Sequence, residues 1–75
     1  MTGVNVCNVR EANSWLKKMG VNNVLKFSTR TDRMYGKVYV LSEIYNGNHT
    51  RTIVTSPGLG ECVETACMVI KRMGR

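Results

Sequence analysis

Lys26, Arg30, Arg33, Lys37 and Arg51 fall in one part of a 75-residue chain, with Tyr35, Tyr39 and Tyr45 interleaved among them. Cations at this density displace the counterions of a phosphate backbone, and aromatic or guanidinium planes beside them stack on bases or ride against sugars. The pattern points to nucleic-acid binding through a basic, tyrosine-bearing surface. The same residues also fit a plainer role, in which the cations solubilise a sheet whose tyrosines cover its core.

Other chemistry is poorly provided for. A catalytic site needs a nucleophile, base or metal supported by neighbours, and the chain offers one histidine, His49, and five scattered carboxylates. Cys7, Cys62 and Cys67 fit neither a disulfide framework nor paired zinc ligation. We expect reduced thiols, no metal, no cofactor and no enzymatic activity. Gly58-Leu59-Gly60 precedes an apolar segment, as a phosphate-binding loop would, but Glu61 and Glu64 stand where such a loop needs cations. The glycines read as a turn and helix start.

Eleven Lys and Arg against five Asp and Glu give a formal charge of +6, which suits an anionic partner. Apolar residues make up 43% of the chain, ordinary for a folded domain. A chain of this length forms one domain, with little room for a deep cleft. No apolar stretch approaches the roughly 18 residues of a membrane-spanning helix. Residues 1–10 lack the basic segment and apolar block of a secretory signal, so a cytoplasmic protein is expected.

These residues must be positioned by a few short elements. Val9, Ala12, Trp15, Leu16 and Met19 recur at helical spacing, with Asn8 as a cap, Lys17 and Lys18 at the negative end of the dipole, and Gly20 as terminator. Leu25, Phe27 and Thr29 then alternate with Lys26, Ser28 and Arg30, predicting a half-buried strand over 24–30. Residues 31–36 read as a loop, 37–45 as a second strand and 49–55 as a third, the last two joined by an Asn46-Gly47 turn. Beyond Pro57, Cys62, Ala66, Val69 and Met73 form a stripe widened by Val63, Cys67 and Ile70, which predicts a second helix packed on the sheet. The fold class is α+β: a three-stranded antiparallel sheet with two helices on one face, in the order α-β-β-β-α.

Hairpin register decides which residues share a face, because a one-residue slip exchanges the two sides. A three-residue turn sets Tyr45 opposite His49 and Glu43 opposite Arg51, a favourable charge pair, and sets Val40 opposite Val54. One face then carries Tyr39, Leu41, Tyr45, His49, Arg51 and Ile53. If it is exposed, Tyr39, Leu41, Tyr45 and Ile53 supply a contiguous apolar and aromatic surface of the kind that marks a protein partner or a homodimer seam.

The α-β-β-β-α order, the hairpin followed by Gly58-x-Gly60 and the alanine-containing last helix with Ala66 together resemble the double-stranded-RNA-binding domain. That resemblance implies the fold. The family's RNA contacts lie in a basic cluster at the start of its second helix, a Gly-Pro and His element between its first two strands, and a polar surface on its first helix. This chain instead has Glu61, Cys62 and Glu64 at the first of these and Thr31 to Gly36 at the second. From Val24 onward the chain also resembles sheet-plus-helix modules that hold DNA through the sheet, such as the integrase amino-terminal family. In size it is similar to the small inhibitors encoded by phages, which implies an alternative role as an inhibitor or adaptor docking on a host or antiviral complex.

Overall fold

The computed structural model describes residues 6–74, so part of the segment examined for a secretory signal lies outside the described residues. The element order is α1 (Val9–Lys18), β1 (Leu25–Asp32), β2 (Gly36–Tyr45), β3 (His49–Ser56) and α2 (Leu59–Arg72). This is the expected α+β order, and its antiparallel sheet runs β1-β2-β3. The layout is compatible with that of a double-stranded-RNA-binding domain.

Local chemistry explains the helix ends. The Asn8 side chain accepts a hydrogen bond from the Glu11 amide at 2.9 Å, while Glu11 reaches back to accept one from the Cys7 amide, also at 2.9 Å. One amide that the helix leaves unpaired, that of Glu11, and the Cys7 amide just before the cap are thereby satisfied. Lys17 and Lys18 occupy the last turn, where they complement the dipole. At the start of α2 the cap is Gly58, whose amide donates to Ser56 Oγ at 3.1 Å.

Ala12 and Leu16 from α1, Leu25 and Phe27 from β1, Leu41 from β2, and Leu59, Cys62, Val63, Ala66 and Ile70 from α2 form one core. Phe27 lies opposite Leu41 across the β1–β2 ladder, so a single sheet face meets both helices. Trp15 packs at the margin of this core, its ring 6.5 Å from that of Phe27, and helps anchor α1.

The strand ends and one register differ from the sequence reading. Thr31 and Asp32 extend β1, leaving Arg33, Met34 and Tyr35 as a short turn. Asp32 Oδ1 accepts from the amides of Met34 (2.8 Å) and Tyr35 (3.1 Å), the local bonding that lets an aspartate end a strand and start a turn.

The second difference is a register shift. Tyr45 lies opposite His49 and Glu43 opposite Arg51, as the three-residue turn requires, with Asn46 and Gly47 both at positive φ. Between Leu41 and Ser42 the pairing slips by one, so Leu41 meets Val54 and Val40 meets Thr55. The expected Val40–Val54 pair is not formed. A bulge that leaves Ile53 without a partner changes the parity of β3, carrying Val54 to the helix side beside Leu41 while preserving the Glu43–Arg51 pair.

Candidate nucleic-acid interface

Strand alternation divides the sheet's functional side chains between two faces. The helix-packed face has the parity of Leu25 and Phe27 on β1, and of Lys37, Tyr39, Leu41, Glu43 and Tyr45 on β2. The opposite face has Lys26, Ser28 and Arg30 from β1, Val38, Val40, Ser42 and Ile44 from β2, and Thr50, Thr52 and Thr55 from β3. Val38 and Val40 are buried yet stand outside the core cluster, with Arg30, Ser28 and Thr55 as their cross-strand neighbours. The helix-free face is thus a central apolar stripe bordered by two cations along one strand and by hydroxyls along the other.

The five cations marked in the sequence therefore do not form one cluster. Lys26 and Arg30 share the helix-free face, about 13 Å apart along β1 at the rise of a strand. Arg33 is exposed in the β1–β2 turn beside Met34 (84% exposed) and Tyr35 (65%). Lys37 and Arg51 have the parity of the helix-packed face, and each lies over a tyrosine: Lys37 Nζ is 5.4 Å from the Tyr39 ring centre and Arg51 Cζ is 5.9 Å from that of Tyr45. Arg51 is also paired with Glu43, the one ion pair among the described residues. With Tyr45 stacked on His49 at 5.6 Å, the hairpin tip is a self-contained polar and aromatic group.

The four residues proposed for a protein partner separate in the same way. Leu41 is fully buried in the core, and Tyr39 is half-buried against it. Their shared face is the one that the helices cover. Tyr45 (44% exposed) and Ile53 (37%) retain surface, at the hairpin end and at the bulge.

Four of the five carboxylates lie away from Lys26 and Arg30. Glu43 has the parity of the helix-packed face, Glu61 and Glu64 are on α2, and Glu11 caps α1. Asp32 shares the parity of Arg30, but its carboxylate is hydrogen-bonded into the turn. The helix-free face accordingly carries net positive charge, Lys26 and Arg30 against Asp32 alone.

A second basic surface adjoins it. An open cleft of about 430 Å³ between α1 and the start of β1 is lined by Arg10, Asn13, Ser14, Lys17, Asn22, Leu25, Lys26 and Ile44. Its α1 residues recur at helical spacing as a polar stripe opposite the apolar one. In the sequence Lys17 reads as a dipole partner alone, and Arg10 carries no signal of its own. The periodic polar stripe was visible, but the strand edge that completes the cleft was not.

The thiols are apart from both surfaces. Cys7 is exposed, Cys67 partly buried and Cys62 buried, with its Sγ–H directed at the Tyr39 carbonyl at 3.5 Å. Burial, reinforced by the negative charge of Glu61, raises the Cys62 pKa, and burial with Glu64 raises that of Cys67. Both favour the less reactive thiol form. Among the described residues no three metal-ligating side chains are gathered together, and no helix is long and apolar enough to cross a membrane.

Comparison with models of protein families, with curated proteins and with solved structures finds no match to this chain. The functional reading therefore rests on the residues and their placement.

Proposed function

We propose that this chain is a small, non-enzymatic nucleic-acid-binding module that engages phosphates through the helix-free face of its sheet. The observation carrying this reading is that Lys26 and Arg30 share that face while the described carboxylates are turned into the β1–β2 turn or sit elsewhere. Phosphate contacts need cations that are free to release counterions, and these two meet that need better than Arg51, which is already paired. Arg33 extends the basic surface beyond the sheet, and Ser28, Thr50, Thr52 and Thr55 add hydroxyls that can bond phosphate or sugar oxygens.

This reading places the ligand differently from the double-stranded-RNA-binding resemblance. The start of α2, where that family meets phosphates, has exposed Glu61 and Glu64, which repel a polyanion. A protein-docking role is the competing proposal, but the burial of Leu41 and Tyr39 reduces its apolar patch to Tyr45 and Ile53. Titration of labelled single- and double-stranded DNA and RNA at two salt concentrations tests the reading. Binding that weakens steeply with salt supports it, and no binding at low salt contradicts it.

A further inference from the structure

We infer that the cleft between α1 and β1 holds a nucleotide of a single strand, so that the module prefers single-stranded to double-stranded nucleic acid. The inference rests on the function proposed above and deepens it. Lys26 belongs both to the helix-free face and to the cleft lining, so the two basic surfaces are continuous. A backbone that lies along Arg30 and Lys26 is led directly to Lys17 and Arg10.

The cleft's chemistry matches one nucleotide in each of its parts. Arg10, Lys17 and Lys26 supply three cations, and no carboxylate lines the cleft to oppose a phosphate. Ile44, with the edge of the largely buried Leu25, supplies apolar surface for a base or sugar, while Ser14 and Asn22 offer a hydroxyl and an amide for base edges. The Asn13 side chain is committed to the Phe27 backbone, which fixes α1 against β1 and holds the cleft open at a set width.

Size favours a single strand. The cleft is open to solvent, and its volume of about 430 Å³ gives room to seat one nucleotide against its walls. A duplex keeps its bases paired and stacked inside a rigid cylinder and presents only its phosphate ridges to such an opening. A single strand can turn an unstacked nucleotide into it.

The test compares a labelled strand of about 12 nucleotides with the duplex of the same sequence, a length within the range that small single-strand modules cover. Ser14→Leu narrows the cleft without altering charge or adding a stacking ring, and Asn22→Ala removes a polar contact with little change in volume. Circular dichroism of each variant confirms folding. The wild type should bind the single strand more tightly, Ser14→Leu should weaken that binding by about 5-fold or more while leaving duplex binding unchanged, and Asn22→Ala should weaken it less. Arg30→Glu should weaken both ligands. Strand binding by the wild type that is indifferent to Ser14→Leu, or tighter binding of the duplex, overturns the cleft assignment and leaves the face intact. Failure of the wild type to bind any nucleic acid overturns both.

Discussion

The side-chain amide of Asn13 on α1 bonds both backbone groups of Phe27 on β1, donating to its carbonyl at 3.0 Å and accepting from its amide at 2.9 Å. β1 is an edge strand, and the outward backbone groups of an edge invite pairing with another chain. Asn13 occupies that position as a neighbouring strand would. One residue thereby closes part of the edge, docks α1 on the sheet and sets the wall of the basic cleft.

Asn13→Ala removes both bonds and leaves Phe27's amide and carbonyl without their partner. At about 1 kcal/mol net for each hydrogen bond, the loss in unfolding free energy should be about 2 kcal/mol. Urea melts measure this loss, and light scattering should show increased self-association as the edge opens. A variant as stable and as monomeric as the parent would contradict the role given to Asn13.

Leu41→Ala and Ile53→Ala should separate the two faces assigned to the β2–β3 ladder. Leu41 is in the closed core, where truncation costs about 3 kcal/mol, whereas Ile53 is the unpaired residue of the bulge and should cost under about 1.5 kcal/mol. Similar losses measured in urea would mean that the bulge does not redirect β3 as described.

The hairpin turn offers a backbone test. Gly47 has φ of 87°, and a Cβ built there meets no neighbouring atom. The cost of Gly47→Ala is therefore conformational, about 1 kcal/mol, and the sheet itself should be retained. Thermal unfolding with amide exchange across Tyr45 and His49 checks both parts.

Thiol chemistry should follow burial. A disulfide-exchange reagent should react first with Cys7, more slowly with Cys67, and with Cys62 only on unfolding. Folding raises the Cys62 and Cys67 pKa values above the ordinary 9.0, so their thiol forms are favoured in the folded state. Their contribution to stability is full below the unfolded-state pKa and declines as pH rises through that value toward the folded pKa. Stability of the parent should therefore fall at alkaline pH, and a Cys62→Ala, Cys67→Ala variant should show a shallower fall. Equal slopes would contradict the linkage.

Much of the architecture was legible because each element's local signals agreed. Asn8, the Val9-to-Leu16 periodicity and Lys17–Lys18 specify α1 together, and Asn46-Gly47 with the Glu43–Arg51 pair fixes the hairpin tip. The face assignment was harder to read. No glycine or proline marks the bulge at Ile53, and both registers satisfy some cross-strand pairs. The need to bury Val54 beside Leu41 selects between them, and that need arises only once Phe27 lies opposite Leu41 and both helices cover them. The basic residues were visible as a group in sequence, but alternation distributes them. Lys26 and Arg30 keep one face, Lys37 and Arg51 go to the other, and Arg10 and Lys17 join from a helix about ten residues upstream.

The most direct test of the nucleic-acid reading compares two double charge reversals, Lys26→Glu with Arg30→Glu and Lys37→Glu with Arg51→Glu, by anisotropy titration against labelled nucleic acid over a range of salt. The two variants carry the same net charge, so a difference between them reports position. The account predicts that the first loses about 10-fold or more in affinity and lowers the salt slope by about 2, while the second changes the slope far less. Equal losses from the two variants, or a larger loss from the second, would contradict the assignment of binding to the helix-free face.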